Sequence, residues 1–312
     1  MGALVRSVRQ AVGLLAVAGA VIVLSGCASA APAGSGTAGP ATASAWPSTL
    51  PAIGTIEACI QFSMYMAGVD DPAELTAADC RLSKMETLEG VERLTDLPGL
   101  TELHLGESLA LSDLTPLAEL ANLTNLTTLS LSNYPALTDL TPLEEMTNLT
   151  FLEVTGSPSL TDLSPLAGLT GLTRLTLSGS TALTDVTPLA EMTGLTKLNL
   201  SRNPALTDLT PLAGLTGLTD LTVAQSPDFT DLTPLAGLTG LTHLFLSNNP
   251  SLSDLTPLAG LTSLTELYLY GDTSLTDITP LAGLTNLTIL GLDDSSVQDL
   301  TPVAGLVDLY IW

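Results

Sequence analysis

The chain has 312 residues, 45% of them hydrophobic but only 4% aromatic, and 8 basic residues face 32 acidic ones for a formal charge of −24. That length allows one large or two ordinary domains. So much negative charge repels nucleic-acid phosphates and anionic headgroups, which argues against a nucleic-acid partner, and it attracts basic groups without selecting one. Leu, Thr, Gly, Ala, Pro and Asp make up most of the sequence, an alphabet narrow enough to signal internal repetition.

Residues 1–26 have the three parts of an export signal. Arg6 and Arg9 form a positive start, Ala11 to Leu24 is uncharged and apolar, and small residues come after it. The apolar stretch is 14 residues long, short of the roughly 20 that a helix needs to span a bilayer. It ends Leu24-Ser25-Gly26-Cys27, which resembles the lipobox of bacterial lipoproteins. The resemblance implies cleavage before Cys27, a diacylglyceryl thioether on its sulfur, and a mature chain held at the cell surface or in the envelope by lipid. Loss of Arg6 and Arg9 would take the formal charge from −24 to −26. Each buried methylene contributes about 0.8 kcal/mol, so two or more acyl chains hold where one does not. The alternative is ordinary cleavage after a site such as Ala28-Ser29-Ala30, which would discard Cys27.

Residues 27–52 are almost wholly Ala, Ser, Gly, Pro and Thr, with Trp46 the one large side chain. Such a segment cannot bury a core and reads as a disordered tether, averaging roughly 25–30 Å end to end. Residues 53–81 read as a cap sealing the start of the remaining chain. Within it, Thr55 to Gly68 suits a short helix with Ile56, Ile60, Met64 and Ala67 on one face. Cys59 and Cys80 form an isolated pair, which in an exported chain favours a disulfide over a metal site.

From residue 82 to 312 the chain repeats. Asp113, Asp139, Asp162, Asp185, Asp208, Asp231, Asp254, Asp277 and Asp299 hold equivalent places, most of them 23 residues apart. A typical unit runs Leu172-Thr173-Arg174-Leu175-Thr176-Leu177, then a turn, then Leu183-Thr184-Asp185-Val186-Thr187-Pro188-Leu189. The first phrase alternates like a strand. Thr187-Pro188 reads as a helix start, with Thr as the cap and Pro at the first helical position. No unit could fold alone, because each buries its leucines against the next.

These phrases, with Thr87-Leu88-Glu89-Gly90-Val91-Glu92 in the opening unit, resemble leucine-rich repeats of the internalin-like class of bacterial surface proteins. The resemblance implies an α/β solenoid: an arc with a concave parallel sheet of about ten strands and a helical cap at the N-terminus. There are departures. That family usually repeats every 22 residues with Asn after the strand, whereas here the Asn place holds Ser157, Ser180, Asn203, Ser226, Asn249, Asp272 and Ser295. An immunoglobulin-like domain and a wall-sorting motif are absent from this sequence, so host-cell invasion is not carried over.

The Asp column could suggest paired acid–base groups or Ca²⁺ ligands. Recurring once per unit beside the same Thr and Pro, these side chains fit better as acceptors for backbone N–H groups at a corner. His104 and His243 lie about six strands, or roughly 30 Å, apart and cannot share a site. No G-x-S-x-G, P-loop or H-E-x-x-H motif occurs. Neither catalysis nor a cofactor or metal is expected, with hydrolase activity only a remote alternative.

The informative positions are the outward ones of each strand, which vary where the rest of the unit does not. Phe151, Arg174, Lys197, His243 and Glu266 fall in the first such column, Phe245, Tyr268 and Tyr310 in the second, and Tyr270 in the third. Exposed aromatics with a charged rim are favoured at protein interfaces. The expected function is therefore a surface-tethered module that binds a protein partner through these residues. The alternative is an envelope protein whose solenoid is a spacer or self-associates.

Overall fold

Thr55 can start a helix because its backbone is extended, with φ −111° and ψ 154°, and its side chain accepts the Ala58 N–H. In the computed structural model, which describes residues 54–81, 87–106, 108, 111–306 and 310–311, α1 then runs Ile56–Ala67. Gly68 ends it in the left-handed region at φ 73°, donating to the Met64 and Tyr65 carbonyls. The expected export signal, Cys27 and the tether lie outside the described residues.

The buried stripe of α1 differs from the expected one. Ile56, Cys59, Ile60 and Ser63 are buried, Met64 is partly so, and Ala67 is exposed. The stripe turns because a disulfide joins Cys59 to Cys80, Cα to Cα 5.1 Å, drawing that side of the helix inward. Ser63 Oγ also accepts the Asp79 N–H at 3.0 Å.

Cys80 closes β1 (Ala77–Cys80), so the cap supplies a strand as well as a helix. Ten more strands come after it in chain order. They are β2 (Glu102–Gly106), β3 (Thr128–Ser132), β4 (Phe151–Thr155), β5 (Arg174–Ser178) and β6 (Lys197–Asn199), then β7 (Asp220–Thr222), β8 (His243–Phe245), β9 (Glu266–Tyr268), β10 (Ile289–Gly291) and β11 (Tyr310–Ile311). They form one parallel sheet of 11 strands in sequence order, the concave side of a leucine-rich-repeat solenoid. The extra strand beyond the expected ten or so is β1, whose Ala77-Ala78-Asp79-Cys80 lacks the leucine phrase but pairs residue for residue with Glu102–Leu105.

Register is the same throughout: Leu152 pairs with Leu175, Leu175 with Leu198, and Leu198 with Leu221. After each strand every third residue turns inward. In one unit Ser180, Leu183, Val186, Leu189, Met192 and Leu195 are all buried at 1% exposure or less. A period of three suits the 3₁₀ turns that recur here, such as Thr187–Leu189. Each buried aliphatic contributes about 1.5–3 kcal/mol, and the partner atoms come from the coils on either side.

Three polar ladders run along the coils, two of them bonding coil to coil and one shaping the corner. At the strand entry, Thr173 donates both its N–H, at 2.9 Å, and its hydroxyl, at 3.1 Å, to the Thr150 carbonyl. The same pair of bonds joins Thr196 to Thr173 and Thr219 to Thr196. At the corner, Asp185 Oδ1 accepts the Thr187 N–H at 2.8 Å, and the other eight aspartates of the column do the same for the residue two places on. This corrects one expectation. Thr187 is the first helical residue, not the cap, and no side chain caps from Val186. Asp, standing three residues before Pro, holds the turn instead, as an Asx turn does.

The third ladder lies just after the strand. Residues 133, 156, 179, 202, 225, 248, 271 and 294 all have positive φ. At Gly156 a Cβ would also lie 2.5 Å from Asn133 Oδ1, so a larger residue there would have to displace that side chain. The next residue is buried in most coils, and where it is Asn it closes the turn. Asn203 Oδ1 accepts the Ser180 N–H at 2.8 Å, while its Nδ2 donates to Leu200 O at 2.9 Å and Leu177 O at 2.7 Å. In an earlier coil Tyr134 fills the place with a buried ring, and burial pushes its phenol well up.

Replacing Cys59 and Cys80 together by Ser should destabilise the cap. For a sequence separation of 21, loop closure gives about 3 kcal/mol. Chemical denaturation with and without reductant measures it, and a midpoint indifferent to both would contradict the bond's role.

Candidate partner-binding face

Strand alternation separates two sets of side chains. In β8 and β9, Leu244 and Leu267 are fully buried, as are Leu246 and Leu269 just beyond. His243, Phe245, Glu266, Tyr268 and Tyr270 therefore turn outward, each only half-buried. In β5 and β6 the outward residues are Arg174, Thr176, Lys197 and Asn199, with both basic side chains exposed.

Equivalent residues on adjacent strands meet across the sheet. The Arg174 guanidinium lies 5.7 Å from the centre of the Phe151 ring, within cation–π range. Lys197 Nζ lies 3.0 Å from Asp220 Oδ1, and His243 bridges onward, Nδ1 3.4 Å from Asp220 and Nε2 3.7 Å from Glu266. Burial raises the Asp220 pKa, but hydrogen bonds from Thr219 and Lys197 with the Lys197 charge outweigh it and hold the carboxyl below its usual range. The first outward column thus links Lys197, Asp220, His243 and Glu266 in one chain of polar contacts. Arg174 is its one cation without an acidic partner among the described residues.

The second column ends in a strip of rings. Phe245 and Tyr268 stack with centroids 4.4 Å apart and planes 10° from parallel. Tyr270 tilts against Tyr268 at 5.6 Å. Tyr270 needs Gly291 beneath it, because a Cβ there would meet its ring at 2.4 Å. The Tyr268 hydroxyl donates to Glu266 Oε2 at 2.9 Å, and burial together with that bond raises its pKa to about 12.

Between Phe151 and Phe245 the face sinks into an open depression of about 280 Å³, floored by Thr176, Asn199 and Thr222 and edged by Arg174, Lys197 and Asp220. Four of the sequence-chosen residues, Phe151, Arg174, Lys197 and Phe245, line it. His243, Glu266, Tyr268 and Tyr270 continue away from its Phe245 wall. Tyr310 lies on β11, opposite Ile289 of β10, and its side chain lies outside the described residues. Sequence reasoning passed over Asp220 and Asn199 as site residues. The signal for Asp220 was present, since it stands 23 residues after Lys197, one coil on, with opposite charge.

Nothing on this face forms a nucleophile–base pair among the described residues. Thr242 Oγ1 lies 2.9 Å from His243 Nδ1, but the same hydroxyl donates to Thr219 O at 3.0 Å as a rung of the strand-entry ladder. The Asp column sits at the corner of the coils. Hydrogen bonds from the Thr side chain and N–H two places on hold carboxyls such as Asp185 and Asp208 below their usual range. Among the described residues no group of three or more His, Cys, Asp and Glu side chains could hold a metal ion. The arrangement can recognise a surface by stacking, charge and shape.

The family model described as Leucine Rich repeats (2 copies) matches residues 170–214. No curated protein gives a match to the chain. Among solved structures, an internalin, InlF, from Listeria monocytogenes is 27% identical over 81% of this chain and 92% of its own, with a TM-score of 0.50. Internalin C2 from the same organism is 28% identical over 81% of this chain and 91% of its own, with a TM-score of 0.45. The plant peptide hormone receptor RGFR1, solved in complex with RGF2, is 20% identical over 69% of this chain, with a TM-score of 0.54. This chain spans 36% of that receptor chain, and the likeness is one of fold. The repeat phrase and the 11-stranded parallel sheet agree with the matched repeats: the chain is a leucine-rich-repeat protein, and its solenoid is similar to that of the internalin InlF.

Proposed function

We propose that this chain is a lipid-tethered recognition module at the bacterial cell surface, binding a protein partner on the concave face between β4 and β9. The observation that carries this reading is the continuous aromatic and charged surface there. Phe151 with Arg174, the depression of about 280 Å³, and the Phe245–Tyr268–Tyr270 strip occupy neighbouring strands. Elsewhere the coils present the same Thr, Asp and Pro, unit after unit. Stacked, half-buried rings lose little entropy on being covered, and such anchors dominate binding energy at interfaces. RGFR1, which shares the fold, is itself a receptor in complex with RGF2, and this supports recognition as a use of the fold.

Export is consistent with the disulfide, which persists outside a reducing cytosol. In this reading Cys27 carries the lipid, and residues 27–52 hold the solenoid away from the bilayer. Cys27→Ala should release the protein from membranes or leave it as an uncleaved precursor. An unchanged membrane fraction with unchanged intact mass would overturn the anchor.

Crosslinking capture by the purified solenoid, with mass spectrometry of the bound material, identifies the partner. Phe245→Ala with Tyr268→Ala should weaken capture of that partner by at least about 30-fold, the loss expected from one anchor worth about 2 kcal/mol. Thermal stability should fall only slightly, because a lost ring stack costs about 1 kcal/mol. Wild-type capture by the double variant would refute the placement, as would a collapse in melting temperature. Self-association without any partner would point to an envelope spacer instead.

A further inference from the structure

Asp272 is a carboxyl in a place built for an amide. Its counterparts Asn249 and Asn203 lie one and three coils earlier in the same buried column, and both work the same way. Asn249 Oδ1 accepts the Ser226 N–H at 2.9 Å, while its Nδ2 donates to Val223 O at 2.7 Å and to Leu246 O. The two carbonyls belong to residues 26 and 3 places before the amide. For Asp272 the equivalent carbonyls are those of Leu246 and Leu269.

Asp272 keeps one half of this arrangement. Its Oδ1 accepts the Asn249 N–H at 2.7 Å. Its Oδ2 is the counterpart of their donor Nδ2, and it is buried without a hydrogen-bond partner among the described residues while the residue is 0% exposed. Ionised, that oxygen would be a buried charge facing the acceptor side of the turn. Protonated, it becomes the donor that the column supplies elsewhere.

We propose that Asp272 is a built-in pH-sensitive joint: with a proton on Oδ2 it closes the turn as Asn does, and without that proton the packing between the coils of Asn249 and Asp272 loosens. No counter-charge among the described residues competes for this role. His243 and Glu266 on the sheet face, Asp254 and Asp277 at the corner, and Asp293 and Asp294 on the next coil face solvent, and none bonds to Asp272. The neighbouring phenols are otherwise engaged, Tyr268 with Glu266 and Tyr270 against Gly291. Burial raises the Asp272 pKa from 3.8 to about 7, opposed only by the Asn249 N–H.

The folded state holds this proton up to about pH 7, whereas the unfolded chain releases it above 3.8. Stability from this group is therefore full below 3.8 and is lost as pH rises toward 7. The joint lies in the coil that carries Tyr268 and Tyr270, but it does not depend on that surface binding anything.

The test is hydrogen exchange at the Asn249 amide in the full-length protein and in Asp272→Asn, from about pH 5 to 8. The ratio of opening constants, wild type over variant, should rise about tenfold per pH unit to near pH 7, roughly 100-fold between pH 5 and 7, and then level. A ratio independent of pH overturns the proposal. Should the variant not fold, carbon NMR of the Asp272 carboxyl in the wild-type protein decides: a midpoint near neutrality supports the joint, and one near the ordinary value of 3.8 overturns it.

Discussion

Each coil of the solenoid buries its leucines against the coils on either side, so the whole structure depends on holding consecutive coils in one register. Leucine packing does not enforce that alone, because apolar contacts are non-directional and tolerate sliding. Hydrogen bonds of three kinds recur along the coils and supply the missing direction. Thr173 at the strand entry, Asp185 at the corner and Asn203 after the strand are one example of each. Two of these ladders bond coil to coil, while the Asp bond is local and shapes the corner that lets the next coil begin in place. A shift of one residue would break the inter-coil bonds together and turn leucines to solvent.

That division of labour leaves the sheet's outer face free. Its side chains are not needed for register, so the sequence can vary there without cost to the core. The variation is not random in charge. The chain carries −24 overall, yet on the sheet Lys197 meets Asp220 and Arg174 lies over Phe151, while a column of aspartates stands along the corner. A partner reaching the strands from β5 to β9 therefore meets two basic and two acidic side chains, Arg174 and Lys197 with Asp220 and Glu266. The strongly negative edge lies to one side, where it repels acidic surfaces and discourages association through that edge.

The buried column after the strand shows how little the fold asks of a side chain and how much the choice still matters. Ser226 donates to Asn203 O at 3.3 Å, whereas the Ser157 and Ser180 hydroxyls have no partner among the described residues. Tyr134 fills its place with a ring, and Asn203 and Asn249 satisfy the turn groups they reach. Tolerance of this kind lets one coil carry Asp272 without loss of the fold, and it makes that coil the one whose stability answers to a proton.

Much of the solenoid was legible in the sequence. Spacing of 23 residues and the L-x-x-L-x-L phrase determine which leucines are buried and which residues face outward, because strand alternation leaves no freedom in that choice. Thr55 and Gly68 likewise mark both ends of α1, since capping chemistry is local. The less legible features depend on contacts between residues far apart in the chain. The strand at Ala77–Cys80 has no leucine pattern and exists because β2 offers an edge. Thr187 looked like a cap until the corner geometry gave that task to Asp185. The sequence alone places Phe151, Arg174, Lys197, Asp220, Phe245 and Tyr268 on one face. Only the tertiary structure decides that Arg174 leans on Phe151, that Lys197 turns to Asp220, and that Phe245 stacks on Tyr268. Neighbouring strands stand about 4.8 Å apart, so each long side chain can reach either neighbour, and rotamers are settled by what stands across the strand rather than by what precedes it in the chain.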